Sequence, residues 1–228
     1  IGIRNAHQVI WRGITKFDIN ANLKHTYYEL FEGTLRFLFL PLNDTEIFWL
    51  AVQKKKKFKK HSSISLKSYL LKIYRNFNPI VLDILNRTSE CDILQNELGD
   101  IKPYYKSWFK NNIVFIGDSI HATTPNLGQG ACQAIEDAYT LGLCIKNNID
   151  GAFIHYQNIR LKKVKYIVEQ SWIIGKISLT TGRLQKKILH IFLKLFPVKQ
   201  YQKRFNRIID IKYLNELENT DAKSINKK

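Results

Sequence analysis

The residues best suited to chemistry lie in one stretch, 113–142, which reads Ile-Val-Phe-Ile-Gly-Asp-Ser-Ile-His-Ala-Thr-Thr-Pro-Asn-Leu-Gly-Gln-Gly-Ala-Cys, then Gln-Ala-Ile-Glu-Asp-Ala-Tyr-Thr-Leu-Gly. An apolar run ends at Gly117-Asp118, which puts an acid at the carboxyl end of a strand, the edge where open α/β sheets bind ligands. Asp118 is positioned to accept hydrogen bonds from ligand hydroxyls, and charge-assisted bonds of that kind are about twice as strong as neutral ones. Gly128 and Gly130 carry no Cβ and let the backbone approach a flat ligand closely. A helix starting near Gly130 turns its unpaired N–H groups and positive dipole end on the same place, which suits an anionic ligand atom. A plain strand-turn-helix that uses Gly for its turn would show the same pattern. His121 could face a ligand or serve as a hydrogen-bonded loop residue, and Glu136-Asp137 could be a catalytic pair or favourable charge near a helix amino end.

The elements that must hold these residues follow from period and punctuation. Ile113–Ile116 is apolar at every position, which predicts a strand buried on both faces, as in a parallel sheet covered by helices. Past Gly130, residues Ala131, Ala134, Ile135, Ala138, Leu141, Gly142 and Ile145 recur at helical spacing until Asn147-Asn148. Upstream, strands are expected over Val9–Phe17, Tyr27–Phe31, Leu35–Leu40 and Ile47–Val52, with turns at Glu32-Gly33 and Asn43-Asp44, an antiparallel meander. Helices are expected over Ser63–Phe77, capped by Ser62 or Ser63, and over Ile80–Asn86 beyond Pro79, followed by a strand-like Cys91–Leu94. From Ala152 to about Leu195 long helical pieces are expected, broken around Thr180–Gly182 and ended by Pro197.

With 45% hydrophobic and 24% charged residues over 228 positions, the chain sets itself apart from disordered and collagen-like sequences. Its 36 Lys and Arg against 19 Asp and Glu give a net charge of +17. The excess gathers in Lys54–Lys60, where six of seven residues are Lys, and from Arg160 onward, with 17 basic against 5 acidic residues. Such blocks can neutralise phosphates of nucleic acid or lipid. No RRM, zinc-finger or helix-turn-helix pattern accompanies them, and Lys dominates over the bidentate Arg. The expectation is solvated charge with no specific nucleic-acid partner, and an exposed loop at Lys54–Lys60. A peripheral membrane contact is the alternative, through Leu189, Phe192, Leu193 and Phe196 set among Lys186, Lys187 and Lys194. No segment reaches the roughly 18 to 20 uninterrupted apolar residues of a membrane span, and the expected location is the cytoplasm. Cys91, Cys132 and Cys144 show no CxxC spacing and an odd count, so buried, reduced thiols are expected and no metal site.

Gly117-Asp118-Ser119-Ile120-His121, then Pro125-Asn126-Leu127-Gly128-Gln129-Gly130-Ala131, then Glu136-Asp137-Ala138 resemble the second FAD-binding motif of the class A flavoprotein monooxygenases. These are the aromatic-ring hydroxylases and epoxidases related to para-hydroxybenzoate hydroxylase, salicylate hydroxylase and zeaxanthin epoxidase. The resemblance extends to Trp11-Arg12-Gly13, to Phe31-Glu32-Gly33 through Arg36-Phe37 to Pro41-Leu42, and to Tyr156 through Arg160. It implies an α/β fold in which an antiparallel-sheet substrate domain (1–95) precedes part of a Rossmann-like FAD-binding domain (96–150) and a basic helical C-terminal region (151–228). It implies FAD as cofactor and NADH or NADPH as co-substrate, with Gly117 and Asp118 among the cofactor-binding residues, Asp118 on the ribityl chain. Pro125 and the backbone of Gly128, Gln129, Gly130 and Ala131 would line the isoalloxazine. The implied reaction is hydroxylation or epoxidation of an aromatic or unsaturated small molecule through a flavin C4a-hydroperoxide formed with O2. Arg36, Phe48 and Trp49 would line the substrate pocket, and no catalytic residue is assigned.

The family's GxGxxG loop, which holds the FAD pyrophosphate at a helix amino end, has no counterpart in these 228 residues. With Ile at position 1 and no Met anywhere, the chain reads as a fragment, expected by itself to bind FAD weakly and to be inactive. Asn126 stands where urate-hydroxylating relatives carry an acid and Phe48 where they carry a tyrosine, so urate is not the expected substrate. The competing expectations are a non-catalytic remnant of the fold and a basic binder of membrane surfaces or nucleic acid.

Overall fold

The computed structural model describes residues 2–19, 23–57, 64–102, 107–179 and 197–225. The chain forms two compact units, one from Ile1–Arg4, Gly99–Gly175 and Lys186–Lys228, the other from Asn5–Leu98 and Lys176–Gln185. The expected helical region 151–228 is not a unit of its own, because its first helix supplies four of the six buried residues clustered with Trp108.

The sheet unit is built on β1 (Ile3–Lys16), β2 (Tyr28–Glu32), β3 (Leu35–Pro41), β4 (Glu46–Lys54) and β5 (Leu94–Ile101), in the order β2-β3-β4-β1-β5. The β2-β3-β4 meander is antiparallel, with Phe31 opposite Arg36 and Phe39 opposite Trp49, and β1 runs antiparallel to β4 with Gly13 opposite Trp49. Side chains alternate across a strand, so each strand feeds two cores. Val9, Trp11, Phe37, Phe39, Ile47, Trp49 and Ala51 pack on one face against Leu70, Tyr74, Val81, Ile84 and Leu85 of helices α1 (Leu66–Tyr74) and α2 (Pro79–Arg87). Ile10, Leu38, Leu50 and Val52 form the other face with Leu179, and Leu40, Phe48 and Leu98 pack beside them. The Tyr74 hydroxyl donates to the carbonyls of Arg36 (3.0 Å) and Val52 (3.2 Å), which pins α1 to β3 and β4.

Local expectations needed correction where a competing cap or an edge position won. The first helix starts at Leu66 with Ser65 as cap, its hydroxyl accepting from Ser68 N–H at 3.2 Å; Ser62 and Ser63 lie outside the described residues. Asn78 caps α2, with Pro79 inside it at the position where a missing N–H costs nothing. Cys91 to Leu94 is not a strand: Glu90–Asp92 is a 3-10 turn, and the strand starts at Leu94 and runs to Ile101. Lys55–Lys57 form an exposed 3-10 turn, and the rest of the lysine run, 58–60, lies outside the described residues, as do the expected break at Thr180–Gly182 and the apolar–basic segment up to Phe196.

The other unit holds the ribbon β6 (Phe109–Lys110) and β7 (Ile113–Val114), a single helical turn α3 (Asp118–His121), a 3-10 turn at Pro125–Leu127, and helices α4 (Gly130–Asn147), α5 (Ala152–Ser178), α6 (Val198–Ile209) and α7 (Lys212–Ile225). Trp108, Ile120, Cys144, Ala152, Tyr156, Val164 and Val168 form its core. The expectation of a doubly buried strand at 113–116 is overturned. Only Ile113–Val114 is strand, paired antiparallel with β6, and Ile113 is 63% exposed because no parallel neighbour flanks it among the described residues. The thiols also depart from expectation: all three are free, but only Cys144 is buried, while Cys91 and Cys132 are exposed. Among the described residues no helix is long and apolar enough to cross a membrane.

Candidate functional site

The apolar run delivers the chain to Gly117, whose φ of +57° is one that L side chains rarely adopt. A Cβ there would also meet the Ala134 Cβ at 2.9 Å, so glycine alone allows the turn to lie directly on α4. The Gly117 N–H donates to Asp137 Oδ2 at 2.8 Å, the Ser119 hydroxyl donates to the Ile116 carbonyl at 2.6 Å, and the Ile101 N–H donates to the Ala122 carbonyl at 2.8 Å. Held in this way, Asp118 is exposed, and its carboxylate makes no hydrogen bond to the described residues.

The loop that follows is fixed to α5. Thr124 and Ser171 hydroxyls lie 2.8 Å apart, Ser171 Oγ donates to the Thr124 carbonyl at 2.6 Å, and Asn126 Nδ2 donates to the Ser171 carbonyl at 2.9 Å. The 3-10 turn at Pro125–Leu127 ends at Gly128 in the left-handed region (φ +63°), with open space where a Cβ would stand. Gln129 then begins α4 with no side chain capping the helix. The N–H groups of its first turn therefore stay available, at the positive end of an 18-residue dipole. Pro125, Gly128 and Ala131 are exposed and Gln129 and Gly130 half-buried, so this surface is open to a ligand.

Under the surface lies a cluster that sequence reading did not assemble. Asp137 is fully buried. Its Oδ2 accepts from Gly117 N–H and from His121 Nε2–H (2.5 Å), and its Oδ1 from Arg160 Nε (2.7 Å). Burial alone would raise the Asp137 carboxyl, but the His121 hydrogen bond and charge, followed by the Arg160 charge, hold it below the usual carboxylate range. Arg160 is likewise buried; burial alone would lower it, but the charges of Asp137, Tyr213 and Glu136 and the Asp137 hydrogen bond together raise it. His121 is thus turned into the protein, and Glu136 pairs with Arg160 and Lys163. Neither Glu136 nor Asp137 stands free as an acid or base. The sequence signalled His121, Glu136, Asp137 and Arg160 separately, through the similarity that covers each, but not that they meet; Ser171 carried no signal.

The three candidate substrate residues divide by strand parity. Phe48 and Arg36 share the face of Leu38 and Leu50, with Arg36 buried in an ion pair with Glu29. Trp49 points to the opposite, helix-covered face, stacks on Phe37 at 5.7 Å and donates from its indole N–H to Thr88 Oγ1 at 2.9 Å. It is a core residue.

An FAD tests this geometry in specific ways. Its ribityl hydroxyls need an acceptor, its flat ring needs backbone without Cβ, and charge developing near its pyrimidine edge needs N–H donors. Asp118 without a partner among the described residues, the open space at Gly128 and the uncapped start of α4 supply one each, so the residues present fit that group.

Residues 88–158 match the family described as FAD binding domain. Aurachin C monooxygenase/isomerase from Stigmatella aurantiaca is 26% identical over 171 residues, 74% of this chain and 44% of that protein. Chloroplastic zeaxanthin epoxidase from Prunus armeniaca is 34% identical over 134 residues, 58% of this chain and 20% of that protein. Among solved structures, Klebsiella pneumoniae HpxO complexed with FAD and uric acid superposes with a TM-score of 0.72 at 20% identity, over 97% of this chain and 54% of that one. The chain spans less than half the length of these two relatives and about half of the solved structure.

Proposed function

We propose, on the premise that this chain is a relative of the class A FAD-dependent monooxygenases, that it forms the flavin-ring and ribityl side of the FAD site in such an enzyme. The reaction would be an NAD(P)H- and O2-dependent hydroxylation or epoxidation of an aromatic or unsaturated small molecule. The observation that carries this reading is the amino end of α4, which no side chain caps, together with the Asp118 carboxylate, which has no hydrogen-bond partner among the described residues, on a turn anchored by Gly117 to Asp137.

FAD, when bound, supplies the redox chemistry, accepting a hydride from the nicotinamide and activating O2. The protein's part is placement. Asp118 accepts hydrogen bonds from hydroxyls of the ligand. Gly128 and Gly130 admit the ring against the backbone, and the first-turn N–H groups of α4 stabilise negative charge on the ring edge as fixed donors that need no reorganisation. Thr124, Asn126 and Ser171 keep the loop at that distance.

Titration of the full chain with FAD, followed by the visible absorption and fluorescence of the flavin, tests this. Saturable binding with a shifted, better-resolved absorption band is expected, and Asp118→Ala weakens it by about tenfold, the worth of a charge-assisted hydrogen bond. Binding that Asp118→Ala leaves intact would remove Asp118 from the site.

A further inference from the structure

We infer that Tyr213 is a positioning residue for the cofactor turn: its hydroxyl joins helix α7 to the Arg160–Asp137 pair that holds Gly117. This rests on the FAD reading above, and extends it to residues beyond the matched segment 88–158.

Arg160 has five N–H donors, and the structure provides an acceptor for each. Nε donates to Asp137 Oδ1 (2.7 Å), Nη1 to Glu136 Oε2 (2.6 Å) and to Tyr213 Oη (2.7 Å), and Nη2 to Gln133 Oε1 (2.6 Å) and the Gln133 carbonyl (3.3 Å). A guanidinium with no exposed surface tolerates no unmade bond cheaply. The Tyr213 hydroxyl completes this set, and donates in turn to Glu136 Oε2 at 2.9 Å. From Tyr213 the path to the turn is three hydrogen bonds long: Tyr213 to Arg160, Arg160 to Asp137, Asp137 to Gly117 N–H.

The C-terminal segment is tied to the same helices at further points. Lys163 Nζ donates to the Asp210 carbonyl at 2.6 Å while also pairing with Glu136, and Asn147 Nδ2 donates to the Leu217 carbonyl at 3.1 Å. The Tyr139 hydroxyl donates to Glu218, and Arg207 lies 4.0 Å over the Tyr166 ring. Of these contacts only Tyr213 touches Arg160. The tail thereby fixes the guanidinium, the guanidinium fixes Asp137, and Asp137 sets where Gly117 and the exposed Asp118 stand.

Tyr213→Phe keeps the ring, which lies 6.0 Å from Arg160 and 5.8 Å from Lys163, and removes only the hydroxyl; Tyr213→Leu removes the ring as well. Hydrogen exchange of the full chain without FAD is the first arm. Tyr213→Phe is expected to speed exchange of the hydrogen-bonded Gly117, Ile120 and His121 amides by about tenfold, the effect of losing one part-buried hydrogen bond, and to leave β3 and β4 unchanged. The second arm adds FAD. Tyr213→Phe should weaken binding by about three- to tenfold and blur the absorption band of the bound flavin. The inference is overturned if Tyr213→Phe is silent and only Tyr213→Leu loosens the turn, since the ring would then merely pack. It is equally overturned if exchange rises throughout the unit, or if the turn loosens while affinity and flavin spectrum stay native. Should the native chain take up no FAD at all, the cofactor reading falls, and the exchange arm alone decides whether Tyr213 holds the turn.

Discussion

At the scale of single residues, the site depends on a carboxylate that never meets a ligand. Asp137 is fully buried between Gly117, His121 and Arg160. Removing one partner of a buried pair leaves the other charge uncompensated, which costs about 3–5 kcal/mol. Arg160→Ala should therefore lower the unfolding free energy by that amount in urea, whereas an exposed, solvent-screened pair such as Arg87–Asp83 contributes little. The pH dependence follows from the sign of the shift. The Asp137 carboxyl is depressed below its ordinary 3.8, with the contacts from His121 and Arg160 outweighing burial. A depressed carboxyl contributes stability that is complete above its unfolded value and is lost as pH falls through the lower, folded value. Stability measured against pH should fall on the acid side below about 4, and Asp137→Asn should flatten that limb while lowering the plateau. An acid limb of unchanged depth in Asp137→Asn would assign the effect to other carboxylates.

At the scale of elements, strand parity decides which side chains can serve a ligand. Trp49 and Phe48 are neighbours in sequence but lie on opposite faces of β4. Trp49→Ala empties a fully buried site and should cost about 3–5 kcal/mol, read as a lower denaturation midpoint. Phe48→Ala, from a half-buried position, should cost less than half as much. The meander itself was legible, since Leu35 to Leu40 and Ile47 to Val52 are bounded by turn residues at Gly33 and Asn43-Asp44. The β5 strand was not. Its Leu-Gln-Asn-Glu-Leu-Gly-Asp-Ile run is polar because it forms an edge of the sheet, mostly exposed, where apolar alternation is not required. The run Ile113–Ile116 misled for the opposite reason: an apolar residue at every position reports what the side chains are, not which neighbours cover them. The Gly-Asp turn and the Pro-Gly loop were readable because their chemistry is local. Their anchors were not, because Arg160 lies 23 residues from Asp137 and Ser171 lies 47 from Thr124, and only packing brings them together.

At the scale of the whole molecule, charge and cofactor site make separable contributions. A chain of net charge +17 attracts any polyphosphate through its diffuse field, and that attraction is screened as salt rises. The contacts assigned to Asp118, the Gly128–Ala131 backbone and the α4 amino end address the ring and ribityl chain, which riboflavin and FAD share. The sequence contains no GxGxxG loop to grip the pyrophosphate at a helix amino end. The phosphates of FAD should then add affinity to this chain only through the field. At low ionic strength FAD should bind more tightly than riboflavin, and its dissociation constant should rise with salt while that of riboflavin stays level, until the two converge. Titrations of both flavins across a salt series, with ADP as a competitor carrying the phosphates alone, measure this directly. A preference for FAD of about tenfold that persists at high salt would mean that these 228 residues contain a built pyrophosphate site. Its first place to be sought would be the Arg and Lys side chains around α4 and α5.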